Sequence, residues 1–434
     1  MTTNDELATI EIRCIPDNPF AISGVLNTKK VRFDIETKTK GATITRTPLN
    51  LVLVLDRSGS MEADDKLTFA KKAVASVLNL LHDDDVVHLV AYDTDVSIIF
   101  ENARASSRQH LYPIIDEIET AGSTNMADGI NVGAGLLEKY VYAGFSNRMF
   151  LFSDGQANVG MKTRAELTNL VREYNNKGII TDAFGIGADF DSEIMKGIAD
   201  AGGSRFYFLE RAQLIETLVA KAVVSVFGVC GSHARLIVRG KNGAIVTKIW
   251  GHENVVAGAS LGDLYSPNVR SVLCEFTTSG TANGDGAEIE TLAYELRYCR
   301  PNDLNGEPTV IKNTMSLKFV EDESLVTEIN PRVKTIFASQ TAAEVDRKMA
   351  QLVRDGKRDE AIDMATEQIA LLKDAAQFDD ERGSISLLLQ LAEKMLKKLK
   401  DESIASTLVC RRFEHKAYLE EECDEDDMGY GLFE

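Results

Sequence analysis

No apolar run in this sequence is long enough to cross a membrane. The most apolar stretch, Leu214 to Val229, is interrupted by Glu216, Lys221 and Ser225 and falls short of the roughly 20 residues that a spanning helix needs. The opening residues, Met1 to Glu6, carry neither a basic segment nor a long apolar one, so no secretory signal is expected. The six cysteines (Cys14, Cys230, Cys274, Cys299, Cys410 and Cys423) form no CxxC pair. That argues against zinc sites and redox dithiols, and reduced thiols in a cytoplasmic protein are the expectation. Cys230 in particular reads as a buried thiol. Positive charge is scarce: 48 Lys and Arg against 67 Asp and Glu give a formal net charge of -19, whereas nucleic-acid binding needs clustered basic residues. The histidines His82, His88, His110, His233, His252 and His415 show no metal-ligand spacing, and no phosphate-cradling glycine loop is present.

What remains is an ordinary globular composition, 44% hydrophobic and 26% charged, spread over 434 residues. That length exceeds one hydrophobic core and implies two or three domains. Near the start, Ala8, Ile10, Ile12 and Cys14 alternate with Thr9, Glu11 and Arg13, and Val31, Phe33 and Ile35 alternate with Arg32, Asp34 and Glu36. Both segments read as half-buried strands. Two strands are not stable alone, so partners must come from later in the chain. From Leu49 to Leu55 the pattern becomes almost continuously apolar, as in a strand buried on both faces. Helical and strand patterns then alternate as far as Phe227, which predicts a doubly wound, mostly parallel α/β sheet.

Extended segments return after Phe227. Arg235–Arg239 and Ala244–Trp250 flank Lys241-Asn242-Gly243, and Asn-Gly signals a hairpin. Val269–Phe276, Glu288–Tyr298 and Thr309–Val320 also look extended. Further on, Val345, Met349 and Leu352, then Ile362, Ala365, Ile369 and Leu372, then Leu388, Ala392, Met395 and Leu399 recur at helical spacing, which predicts three amphipathic helices. The expected architecture is therefore residues 1–47 as the first strands of a β-sandwich, 48–227 as an inserted α/β domain, 228–330 as the rest of the sandwich, 331–410 as a small helical region, and 411–434 as a disordered acidic tail.

Asp56-Arg57-Ser58-Gly59-Ser60 follows the first buried strand, where open α/β sheets bind ligands. Asp56 offers a carboxylate, and Ser58 and Ser60 offer neutral hydroxyls two residues apart. Thr124, just before a helix, and Asp154, just after the strand ending at Phe152, stand at equivalent places. An all-oxygen set suits a hard cation, Mg²⁺ first, with Mn²⁺ or Ca²⁺ as alternatives. Two carboxylates balance its charge, hydroxyls add ligands without charge, and an open position can take an incoming carboxylate. Asp and Ser also favour caps and turns. That accounts for any one of these residues, but not for five on three loops at one sheet edge.

These residues resemble the metal-ion-dependent adhesion site of von Willebrand factor A domains. The DxSxS motif falls on Asp56, Ser58 and Ser60, the threonine on Thr124 and the second aspartate on Asp154. The resemblance covers roughly Pro48 to Phe227. It implies a metal-dependent, non-enzymatic protein that binds an exposed Asp or Glu of a partner, with Asp154 acting directly or through water. A hydrolase using Asp56 is the rival from another class. The phosphatases that begin with such an aspartate need a second one two residues on, and here that position is Ser58. A ubiquitin-ligase scaffold is a third reading, because some members of the family carry a RING finger, but this chain has no such cysteine array. Asp93 and Asp95 read as a solvated strand-to-strand turn.

From Glu420 to Asp427 every residue but Cys423 is acidic, and the chain continues through Met428, Tyr430, Leu432 and Phe433 to Glu434. A solvated acidic run needs no such apolar residues; together they suit a short anchoring motif steered by charge. Glu421 to Glu434 resembles the C-terminal tail of the eukaryotic ribosomal stalk P-proteins, which implies capture of translational GTPases or of other stalk-tail binders. It departs by one extra acidic residue, by Tyr430 in place of phenylalanine, and by Cys423 where the family has a phosphorylatable serine.

Overall fold

The computed structural model describes residues 8–39, 47–142, 144–187, 190–209, 212–252, 254–279, 286–300, 307–379, 383–401, 410 and 413. The tail positions Met428, Tyr430, Leu432 and Phe433 lie outside the described residues.

Three strands come first: β1 (Ala8–Pro16), β2 (Phe20–Ile22) and β3 (Leu26–Thr39). An α/β unit follows, made of β4 (Leu49–Asp56), α1 (Lys66–Leu80), β5 (Val86–Tyr92), β6 (Val96–Arg104), α2 (Arg108–Asp116), α3 (Met126–Lys139), β7 (Ser146–Ser153), α4 (Arg164–Asn176), β8 (Ile179–Ile186), α5 (Ser192–Ala201), β9 (Gly203–Leu209) and α6 (Ala212–Phe227). Its sheet has the order β6-β5-β4-β7-β8-β9, and β6 alone runs antiparallel to its neighbour. The period of two along β4 builds both cores. Leu49, Leu51, Leu53 and Leu55 join the cluster packed with α1, α2 and α6, while Val52 and Val54 join the one packed with α3, α4 and α5. A Cβ at Gly133 would lie 2.7 Å from Val54 Cγ2 and one at Gly129 would lie 2.7 Å from the Tyr92 ring, so these glycines let α3 sit close on the sheet.

The remaining strands are β10 (Val229–Gly240), β11 (Ile245–Ile249), β12 (Ala259–Tyr265), β13 (Asn268–Ser279), β14 (Ala287–Cys299) and β15 (Thr309–Val320). They form two sheets with the first three strands, in the orders β1-β3-β13-β11 and β12-β10-β14-β15-β2. Thus β3, before the α/β unit, pairs with β13, after it, and β2 pairs with β15. Val31, Phe33 and Ile35 of one sheet share a core with Leu236, Tyr294 and Leu317 of the other.

Two sequence expectations need correction. Lys241-Asn242-Gly243 makes a tight turn, with Asn242 at φ 49 and Gly243 at φ 84 and the Ala244 N–H donating to Lys241 O at 3.0 Å. It does not make a hairpin: β10 pairs with β12 and β14, whereas β11 pairs with β13 in the other sheet. Turn chemistry fixes the reversal but not the partner, and here the chain switches sheets at a corner. The second correction concerns Arg32 and Asp34, which are buried as an ion pair on the outer face of β3. That face is covered by α7 (Pro331–Arg354), whose Arg332 carbonyl accepts from Arg32 Nη1 at 3.3 Å. The short strands β2 and β12 were not foreseen from the pattern.

After α7 come α8 (Arg358–Ala376) and α9 (Ser384–Lys400), punctuated by Gly356 and Gly383. Val333 and Ile336 of α7 pack on Trp250 and Leu273, and Gln368 of α8 hydrogen-bonds to buried Asp346 at 2.8 Å.

Candidate metal site

Asp56 ends β4 at the carboxyl edge of the parallel strands, fully buried. Its Oδ1 accepts the Ser58 N–H at 2.9 Å. Its Oδ2 accepts the Ser153 hydroxyl at 2.6 Å and the Tyr92 hydroxyl at 3.3 Å. The Ser58 and Ser60 hydroxyls lie 3.2 Å apart. Ser58 and Thr124 are each 1% exposed and Asp154 is fully buried, while Ser60 is only partly buried. Four of the five oxygen-bearing residues are thus buried, and Ser60 is part-exposed.

Backbone bonds knit the three loops. The Gly59 N–H donates to Gly122 O at 3.1 Å and the Ala121 N–H to Arg57 O at 2.8 Å. The Thr124 N–H donates to Asn158 Oδ1 at 2.8 Å, and Thr124 O accepts from the Asn158 and Val159 N–H groups, both at 3.1 Å. Gly122 sits at φ +53, and a Cβ there would come within 2.6 Å of Thr94 Oγ1. Asp93 is not part of a solvated turn: it is 5% exposed and accepts from Arg57 Nε at 2.7 Å, bracing the same loop.

The sequence reading missed three supporting side chains. Ser153 and Tyr92 hold Asp56, and Lys66 Nζ lies 3.2 Å from Asp154 Oδ2 with both side chains buried. Lys66 stands four residues before buried Ala70 and eight before Val74, so the helical period itself put it on the core face of α1. Burial pushes the Asp56 carboxyl up to about 6, and the charge of Asp154 adds to this, while hydrogen bonds from Ser153 and Ser58 pull it down. Burial, with Asp56 adding, also raises the Tyr92 phenol.

Among the described residues there is no group of three or more His, Cys, Asp or Glu placed to hold a metal ion. This donor set has two carboxylates, and hydroxyls make up the rest. Lys66 pairs with Asp154, while Asp56 is held by neutral hydroxyl and amide donors. The residues present fit a hard divalent cation.

Residues 50–221 match the model of the von Willebrand factor type A domain, and the chain carries that domain. The uncharacterized protein YfbK of Escherichia coli is 27% identical over 162 residues, 37% of this chain and 28% of that protein. The uncharacterized protein sll0103 of Synechocystis is 28% identical over 174 residues, 40% of each. The chain therefore spans less than half the length of these two relatives. Among solved structures, a von Willebrand factor type A protein from Catenulispora acidiphila superposes with a TM-score of 0.68 at 16% identity, covering 90% of each chain. The ArnB paralog VWA2 from Sulfolobus acidocaldarius gives 0.58 at 14% identity, covering 94% of this chain and 98% of that one. These likenesses concern the fold, and they extend well beyond residues 50–221.

Proposed function

We propose, on the premise that residues 50–221 are a von Willebrand factor type A domain, that this protein is a non-enzymatic interaction protein of the cytoplasm whose α/β edge binds an acidic group of a protein partner with the help of a divalent cation. The observation that carries this reading is the burial of Asp56, Ser58, Thr124 and Asp154, with Ser60 part-exposed. Those five residues would hold the cation, Mg²⁺ first. A bound divalent cation supplies a coordination position that an incoming Asp or Glu carboxylate can take.

The chain's own groups prepare that position. Ser153 and Tyr92 orient Asp56. Lys66 holds Asp154 through Oδ2, which supports a role for Asp154 directly or through water. The position two residues after Asp56, which a phosphatase would fill with an acid, is Ser58, whose N–H donates back to Asp56; this supports a binding role. We read the two sheets outside the α/β unit as one β-sandwich into which the α/β domain, residues 48–227, is inserted. Among the described residues no helix is long and apolar enough to cross a membrane.

The C-terminal residues Met428, Tyr430, Leu432 and Phe433 form the second handle, for translational GTPases or other stalk-tail binders, on the strength of their sequence order. The test is affinity capture from a eukaryotic lysate with the full chain, with Leu432→Ala/Phe433→Ala, and with Asp56→Ala, each with and without EDTA. Capture of elongation factors should nearly vanish in the tail variant and persist with EDTA. Partners of the α/β edge should vanish with EDTA and with Asp56→Ala alike. Elongation-factor capture unchanged in the tail variant would reduce the tail to a solubilising extension.

A further inference from the structure

A cavity of about 250 Å³ lies where the α/β unit, the two other sheets and α7 meet, away from the loops of the candidate metal site. Four cationic side chains line it, Arg148, Lys196, Arg205 and Arg270, against two carboxylates, Asp200 and Asp263. In a chain with a formal net charge of -19, that is a local reversal of sign.

The cations are held in place by their surroundings. Arg148 pairs with Asp263 across the junction, and Asp182 Oδ2 lies 4.0 Å from Arg148 Nη1. Arg270 donates to the Leu261 carbonyl, and the Arg205 guanidinium sits 4.2 Å from the centroid of the Tyr265 ring. Groups fixed in this way lose little freedom when a ligand arrives. The junction is also tight: Gly262 is at φ +63, and a Cβ there would come within 2.7 Å of Gly203 O.

The arrangement nevertheless leaves buried polar atoms without hydrogen-bond partners among the described residues. Arg148 Nε, on a side chain 2% exposed, and Trp250 Nε1, on a residue 6% exposed, are donors of this kind, and Asp263 Oδ1 is an acceptor. All three residues line the cavity. Each of these three atoms exposes less than 1 Å², so none opens into the cavity, and the sign of the cavity is set by its charged side chains. The volume lies below the range typical of drug-sized ligands, which limits the occupant to a small molecule.

We propose that this junction cavity binds a small molecule bearing a phosphate or carboxylate group. Arg148, Lys196, Arg205 and Arg270 set the sign of the ligand. Such a ligand bridges the α/β unit and the two-sheet unit, and it is independent of the divalent cation.

Trp250 is the one tryptophan of the chain, so its emission reports from the cavity wall. The experiment titrates the full chain, in EDTA and without added divalent metal, with inorganic phosphate and separately with succinate, with ionic strength held constant by sodium chloride. A saturable change in emission with phosphate or with succinate, and none with chloride alone, is expected; the anion that saturates identifies the head group. Lys196→Gln/Arg205→Gln, at partly buried positions, should weaken binding about tenfold or more while thermal unfolding stays cooperative. Asp56→Ala should leave binding unchanged. No saturable response to either anion, an equal response in the double variant, or loss of the response in Asp56→Ala would overturn the proposal.

Discussion

Two buried charge clusters in this molecule have the same tally and opposite surroundings. At the carboxyl edge of the parallel sheet, buried Asp154 pairs with Lys66, and the charge of Asp154 acts on buried Asp56. At the domain junction, Asp182 and Asp263 share Arg148. Each sets two carboxylates against one positive group, and each contains an aspartate whose carboxyl burial pushes up to about 6. The neighbours differ. The loops of the first cluster also carry the hydroxyls of Ser58, Ser60 and Thr124, which bring oxygen atoms and no charge. The second borders a cavity whose wall adds Lys196, Arg205 and Arg270. A charge count therefore does not decide what a buried cluster attracts; the donors beyond it do. The same balance suits a cation in one place and an anion in the other.

The largest effects come from removing the paired cation or its partner. Lys66→Ala leaves buried Asp154 without that ammonium, and Asp263→Ala deprives buried Arg148 of its cross-domain carboxylate. Each should destabilise the fold by roughly 3–5 kcal/mol in urea denaturation. The comparison sharpens with Mg²⁺. Added Mg²⁺ should stabilise Lys66→Ala by more than it stabilises wild type, because a cation at that edge takes over the missing charge. It should stabilise Asp263→Ala by no more than wild type. Equal gains in all three proteins would erase the distinction between the clusters.

A smaller effect is expected from pH. The Asp182 carboxyl is raised from its ordinary 3.8 to about 6, by burial first, against the lowering influence of Arg148 and the Ser204 hydroxyl. The folded state then keeps a proton that the unfolded chain has released. Stability from this group is fullest below pH about 4 and falls as pH rises through about 6, by about 3 kcal/mol in all. Asp182→Asn should flatten that part of the profile when unfolding is measured between pH 4 and 7. Asp56 contributes a fall in the same window, but Mg²⁺ should suppress its share and leave that of Asp182. A profile in Asp182→Asn as steep as in wild type would contradict the assignment.

Ser153→Ala tests the support of the candidate metal site without touching its five-residue set. Ser153 holds Asp56 Oδ2 at 2.6 Å, and losing such a partner should weaken metal binding about tenfold to a hundredfold. Unchanged affinity would mean that Asp56 needs no such brace.

Local pattern exposed some of this organisation and concealed the rest. The unbroken apolar run from Leu49 to Leu55 announced a strand buried on both faces, and Asp56, Ser58 and Ser60 stood at its end in plain view. Asp154 stands after β7 by the same strand-to-loop logic, whereas Thr124 stands in the loop just before α3. Lys66 was not: in Asp64-Asp65-Lys66 it looks like any solvated charge, and only its spacing to Ala70 and Val74 marks it as buried. Arg32 and Asp34 looked like the wet face of β3 because the helix that covers them lies some three hundred residues further on. Asn242-Gly243 specified a tight turn, but the partner of the next strand is set by a core shared between two sheets, which no local signal encodes. The cavity wall draws on β7, α5, β9, β12, β13 and α7 at once, so no motif could have revealed it.

The most direct test of the account is a calorimetric titration of the full chain with Mg²⁺, and separately with Mn²⁺, beside Asp56→Ala. The wild-type chain should bind one ion. Asp56→Ala should keep its far-ultraviolet circular dichroism and thermal unfolding cooperativity while its affinity falls well below wild type. Equal affinity in the two proteins, or no binding by the wild-type chain, would contradict the assignment of Asp56, Ser58, Ser60, Thr124 and Asp154 as a metal site.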